Sequence, residues 1–143
     1  MKSEEEILNL IDAARVARLA QLDFEKRVHA IPFVFVRHDR TLYSPVDGKP
    51  KRHAKLSRLA WVENEPSVTV LIDEYEEDWT QLWWLRIYGE AKTVHSDVPD
   101  WELIVDKLSK KYRQYNTSKD GIDMFNGKPT MLSIEIARWR CWF

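Results

Sequence analysis

Leu42-Tyr43-Ser44-Pro45-Val46-Asp47-Gly48-Lys49-Pro50-Lys51-Arg52 is the stretch of this chain best equipped to hold an anion. It opens in β-prone residues, turns at Asp47-Gly48, and concentrates positive charge just ahead of a helix predicted to start near Lys55. Between Lys49 and Arg58 stand five Lys or Arg residues and His53, with no acid among them. Such a strand–turn–helix makes a seat for a phosphate. Turn amides point at the anion, the helix N-terminus adds partial positive charge, and Lys and Arg add full charges. A solvated basic turn has the same composition, so the cluster alone leaves both readings open.

The other chemistry-bearing residues do not assemble into a reaction centre. Ser44, Ser57 and Ser67 lack the glycine-flanked elbow of a nucleophilic serine. His29, His38, His53 and His95 show no ligand spacing and read as surface histidines. Asp73-Glu74-Tyr75-Glu76-Glu77-Asp78 holds five acids in six residues, which reads as a solvated loop because nothing orients the carboxylates around a metal. The single cysteine, Cys141, excludes an internal disulfide and a zinc site built on paired cysteines. No catalytic side chain and no metal ligand set is predicted.

The 143 residues read as one domain, 1–143, long enough for a real core. A net charge of -1, from 22 basic and 23 acidic side chains, gives no global pull towards nucleic acid or an acidic membrane. Met1-Lys2-Ser3 leads into three glutamates, and no apolar run reaches membrane-spanning length, so a soluble cytoplasmic protein is expected. Seven tryptophans are more aromatic surface than one small core hides. They predict a symmetric homodimer with second-half tryptophans in the contact.

The elements that must position the basic turn follow from periodicity. Ser3 and Glu6 form a capping box for a helix over residues 4–14. Strands are predicted over Arg15–Leu22, Val28–Val36 (Pro32 suiting an edge) and Thr41–Ser44. The helix near Lys55 ends at Asn64-Glu65-Pro66, and Ser67–Ile72 is the clearest strand. In the strand Leu82–Lys92, Leu82, Trp84, Arg86 and Tyr88 share one face, and Trp83, Leu85, Ile87 and Gly89 the other. Ser96-Asp97-Val98-Pro99 opens a third helix with Trp101, Ile104, Val105, Leu108, Tyr112 and Tyr115 as its buried stripe. Thr130–Trp142 closes the chain as a strand with Leu132, Ile134 and Ile136 facing one way. Six strands joined mostly by hairpins, with three helices, predict a mainly β fold with α (α+β): a small antiparallel barrel with peripheral helices.

In order along the chain, Ala17-Arg18-Leu19-Ala20, Pro32, Leu42-Tyr43-Ser44, Lys49-Pro50-Lys51-Arg52 with Leu56 and Leu59, Glu65 to Leu71, and Leu85-Arg86-Ile87-Tyr88-Gly89-Glu90-Ala91 carry a family resemblance. The chain resembles the pyridoxamine 5'-phosphate oxidase-like flavin-binding split β-barrels, and within them the short single-domain deazaflavin-dependent oxidoreductases. The resemblance covers residues 5–140 and implies a six-stranded split barrel, a homodimer, and one FMN or deazaflavin coenzyme in each of two clefts between the subunits. It implies Lys49, Lys51 and Arg52 as phosphate ligands, with Ser44 as a hydroxyl donor. It also brings Trp84 and Arg86 near the cleft, and Trp139 and Arg140 near the partner's cofactor. Lys55 and Arg58 follow on the helix and are placed to line a groove for the longer anionic tail of deazaflavin. Trp61 departs from the polar residue common at that point in such proteins. The substrate-binding extension of the vitamin oxidases is missing, so pyridoxamine phosphate is not the expected substrate.

The function this implies is an oxidoreductase passing hydride to a small organic acceptor, with the chemistry belonging to the cofactor. The alternative is a non-catalytic flavin- or haem-binding protein. A single-stranded nucleic-acid binder using the tryptophans is disfavoured by the near-zero charge and the acidic loop.

Overall fold

Seven strands form one antiparallel sheet: β1 (Ala17–Leu22), β2 (Val28–Phe33), β3 (Val36–His38), β4 (Thr41–Pro45), β5 (Ser67–Glu74), β6 (Trp83–His95) and β7 (Thr130–Trp142). Among the described residues three α-helices accompany it, α1 (Glu4–Ala13), α2 (Ala54–Asn64) and α3 (Trp101–Lys111). This computed structural model describes residues 1–46, 54–116, 123–125 and 127–143, with the backbone alone for 54–56 and 116. The strand order is β2-β1-β5-β6-β7-β4-β3, so the two edges of the sheet are strands adjacent in sequence. That is a barrel left open along one seam, built with helices outside as expected.

The strand count differs from the six expected. Val28–Val36 does not run as one strand but breaks at Val34-Phe35, where the chain leaves one sheet edge and joins the other. Pro32 lies on edge strand β2, where a missing donor costs the ladder least. The third helix also starts later than Ser96. Asp100 adopts a left-handed conformation, φ 63°, and α3 begins at Trp101.

Apolar residues sort onto two sides of the sheet. Ile7 and Ile11 of α1 and Val62 of α2 join Leu19, Val70, Leu85, Ile87 and Ile134 in the main core. Ile104 and Leu108 of α3, with Tyr112, pack on Val36, Val94 and Met131 on the other side. The first half of β7 is therefore buried on both faces, Met131 towards α3 and Leu132 towards the main core. Arg37 fixes α1 to β3 by a two-pronged pair with Asp12, at 2.9 and 2.7 Å.

At the seam, Phe35 belongs to neither edge strand, and its backbone groups are met by side chains from the end of α3. The Tyr112 oxygen accepts from the Phe35 amide at 3.1 Å and lies 3.0 Å from the Phe35 carbonyl and 2.9 Å from that of Arg15. A phenol has one proton to give. Lys111 Nζ donates to the Phe35 carbonyl at 3.0 Å, so the Tyr112 proton serves Arg15. The Phe35 amide and carbonyl and the Arg15 carbonyl then each have a partner.

Tyr112→Phe leaves the Phe35 amide and the Arg15 carbonyl without this partner, and should destabilise the fold by about 1–3 kcal/mol in urea unfolding. The Lys111 ammonium is held well below its ordinary 10.5, to about 8, first by burial and then by Arg15. Between these values the folded chain binds fewer protons than the unfolded one, so stability should rise with pH from about 8 towards 10.5. Burial raises the Tyr112 and Tyr43 phenols above 10.0, so stability should fall again once the unfolded chain loses those protons. Lys111→Met should abolish the rise and keep the fall when stability is measured across this range.

Candidate functional site

The outward face of β1, β5, β6 and β7 is a grid of cations and aromatic rings. One row across the strands runs Arg18, Leu71, Arg86, Arg140; the next runs Ala20, Thr69, Tyr88, Arg138. Beyond the arginines lies a row of Asp73, Trp84 and Trp142. The Arg86 guanidinium sits 4.9 Å from the Trp84 ring and 5.7 Å from that of Tyr88, and the Arg138 guanidinium sits 4.2 Å from Tyr88. Among the described residues, the buried Arg86 Nε has no hydrogen-bond partner. Arg18 pairs with Asp73 at 3.6 Å, but among the described residues no ion pair joins Arg86, Arg138 or Arg140 to a carboxylate. Beside this stack a cleft of about 520 Å³ opens over Ala20, Leu22, Ser67, Thr69, Tyr88, Glu90 and Arg138, a volume in the range of small-molecule sites. Free planar guanidinium groups beside aromatic faces suit an anionic, planar heteroaromatic ligand.

A β-bulge makes this face. The register of β6 and β7 shifts between Tyr88 and Gly89, leaving Ala137 as the extra residue. Before it, Leu132, Ile134 and Ile136 point into the core; after it, Arg138, Arg140 and Trp142 point outwards and Trp139 inwards. Without the bulge the three even-numbered residues would continue into the core. Gly89 sits at the shift because nothing larger fits. A Cβ there would lie 2.5 Å from the Glu135 carbonyl oxygen and 2.8 Å from Ile134 Cγ2.

The predicted site residues divide accordingly. Trp84, Arg86 and Arg140 are brought together on the outward face. Trp139 is on the opposite face, packed against the core, with the Arg40 guanidinium 5.0 Å from its ring. Ser44 is buried on β4, in register with Leu132. Arg58 lies on α2, its carbonyl accepting from Gln21 Nε2 at 3.1 Å. Lys49, Lys51, Arg52 and the side chain of Lys55 lie outside the described residues.

Two histidines carry more than a surface role suggests. His29 Nε2 is 2.8 Å from Asp23 Oδ2, and the ring stacks on Trp61 with centroids 4.4 Å apart. That bond, and then the Arg27 amide, hold the Asp23 carboxyl below its ordinary range. His38 bridges β3 and α3, with Nε2 3.0 Å from Asp100 Oδ2 and Nδ1 3.0 Å from Lys107 Nζ. Lys107 can only donate, so His38 accepts at Nδ1 and carries its proton on Nε2 towards Asp100. The Asp23–His29 pair is local to one hairpin and could have been read from it. Asp100 is far from His38 in sequence and left no such signal.

Residues 3–143 match the family described as pyridoxamine 5'-phosphate oxidase. The chain belongs to this family. Its sheet, open along one seam, is the family's split barrel. No curated protein matches the sequence. Among solved structures, a conserved hypothetical protein from Mycobacterium tuberculosis is similar at a TM-score of 0.73 and 15% identity, over 99% of this chain and 85% of that one. A FAD-binding protein from Mesorhizobium loti is similar at 0.64 and 18%, over 98% and 92%. The heme storage protein HutZ from Vibrio cholerae is similar at 0.65 and 17%, over 99% and 94%. At such identities the likeness carries the fold alone.

Gly89→Ala tests the bulge. The clash is with backbone on the paired strand, which cannot yield without breaking the ladder, so the variant should lose about 1–3 kcal/mol in urea unfolding. A variant as stable as the parent would mean that the strands can slide past the shift.

Proposed function

We propose that the chain binds a flavin-type cofactor, FMN or deazaflavin, between two copies of itself and uses it to transfer hydride to a small organic acceptor. Family membership supports the cofactor class, and the free guanidinium stack suits its anionic, planar heteroaromatic body.

The observation that carries the two-copy reading is a distance. The Val46 amide, just before the Lys49–Arg52 segment, donates to the Thr130 carbonyl at one end of β7. Arg140, opposite Arg86, lies ten positions further along that strand, roughly 33 Å at about 3.3 Å per residue. Val46 and the arginine face thus stand at opposite ends of β7, and in this reading the segment that follows Val46 in one copy meets Trp84 and Arg86 of the other.

In this reading Lys49, Lys51 and Arg52 hold the phosphate, and Ser44 stands near the start of that segment. Trp84 and Arg86 orient the ring and keep water from its face. A bound flavin supplies the hydride chemistry, and the chain's own residues bind, orient and desolvate. A cofactor carrier without turnover is the second reading, favoured by the fold shared with HutZ. Reduction of an added quinone or enone by the reduced, loaded protein separates the two.

Lys49→Ala with Lys51→Ala should weaken cofactor binding by about two orders of magnitude while the fold survives, as charge-assisted contacts are lost. Titration of the apoprotein, followed by absorbance, reads this directly. Unchanged affinity in a folded double variant would return the segment to a solvated turn. Repeating the titration with Lys55→Ala and Arg58→Ala identifies the ligand: deazaflavin binding should weaken more than FMN binding if its tail runs along α2.

A further inference from the structure

We infer that the cleft beside Tyr88 is a site for a small organic monoacid, its carboxylate held by Arg138 and its apolar end towards Ala20, Leu22 and Val28. This rests on the reading above and names the chemical class of its small organic acceptor. Polarity changes along one row of the sheet. Ala20, Thr69, Tyr88 and Arg138 are paired in turn across β1, β5, β6 and β7, about 14 Å from first to last at about 4.8 Å per strand. Leu22 and Val28, paired with each other, line the cleft at the Ala20 end. At the other end the Arg138 guanidinium lies 4.2 Å from the Tyr88 ring, exposed and with no carboxylate partner among the described residues. A guanidinium in that position keeps its planar fork of donors free for a carboxylate.

The middle of the row is polar without charge. Among the described residues the hydroxyls of Ser67, Thr69 and Tyr88 form no hydrogen bond, so they are open to a ligand. Glu90, paired with Ser67, is the carboxylate that lines the cleft. It repels a second carboxylate at its end, so the cleft takes a monoanion over a dianion. Tyr88 stands two residues from Arg86 on the same face of β6, about 7 Å at about 3.3 Å per residue. An acid in the cleft therefore lies alongside a ring held on Trp84 and Arg86.

Two probes of one shape test the site: trans-cinnamate, a flat apolar body ending in a carboxylate, and its neutral amide, cinnamamide. In calorimetric titration the parent should bind cinnamate at least about tenfold more tightly, and Arg138→Gln should bring the two probes within about twofold. Circular dichroism checks folding. Should Arg138→Gln fail to fold, Arg138→Lys decides: it keeps the charge but loses the fork, so the preference should fall by at least about threefold. A parent that binds both probes alike, or a folded variant that keeps the full preference, overturns the site. Flavin titration of the parent separates this inference from the reading it rests on. Flavin binding without a carboxylate preference overturns the acid site and leaves that reading standing. A preference that depends on Arg138, in a parent that binds no flavin, upholds the acid site and overturns that reading.

Discussion

Where the chain crosses between β2 and β3, the backbone of Phe35 has no strand partner, and the Tyr112 hydroxyl takes that place. Buried backbone groups must be paired, so a barrel open along one seam needs polar side chains there. They come from one helix end. Tyr112 directly follows α3, its own amide donating to the Leu108 carbonyl, so the helix terminus sets where the phenol stands. Lys107 and Lys111, four residues apart on one helix face, donate to the carbonyls of Arg37 and Phe35. The apolar residues Ile104 and Leu108 hold the helix down while its polar side chains close the seam. The seam between the two sheet edges is therefore held by α3, whose side chains meet the backbone where β2 gives way to β3.

The far end of the sheet is organised by a second constraint, the phase of β7. Strands β6 and β7, both 13 residues long, pair over almost their whole length, which makes them a rigid platform. One extra residue at Ala137 turns a strand that begins as core into one that ends as surface. The arginines owe their common face to that insertion, and the insertion owes its fit to Gly89. Side chains held on paired strands keep their geometry better than side chains on loops. The same device separates Trp139 from Arg140, neighbours in sequence that look out on different sides.

What the sequence made legible was local. The Ser3–Glu6 capping box forms as read, with Glu6 and Ser3 each accepting from the other's amide. The alternation along Trp83–Gly89 gives both faces of β6 correctly, because a period of two is set within the strand itself. The break at Val34-Phe35 was hidden, since its cause is the identity of the two sheet edges, and the residues stay apolar through it. The bulge was hidden for a related reason: an inserted residue is visible only against the strand it pairs with. Ser96-Asp97-Val98-Pro99 looked like a helix start by composition, yet Asp100 directs its carboxylate to His38 rather than to the amides of α3. Trp61, which departs from the polar residue common at that point in the resembling proteins, is stacked on His29.

Near-neutral overall charge conceals strong local segregation. Arg86 and Arg140 face each other directly across paired strands, an arrangement of like charges that destabilises a sheet. Aromatic faces relieve part of that repulsion, since Arg86 lies against Trp84 and Tyr88 and Arg138 against Tyr88. They do not neutralise it, and among the described residues the buried Arg86 Nε has no acceptor. A fold selected only for its own stability would gain by placing one carboxylate in this grid, as Asp73 does for Arg18 at its margin. Instead four further acids, Glu74, Glu76, Glu77 and Asp78, are gathered in the adjoining loop. The isolated chain thus keeps repulsion on its sheet face and repulsion in its loop, and an anion brought from outside relieves the first. The same like-charge terms that weaken the lone fold become attraction once an oppositely charged surface or ligand covers the face, so that binding gains what folding forgoes.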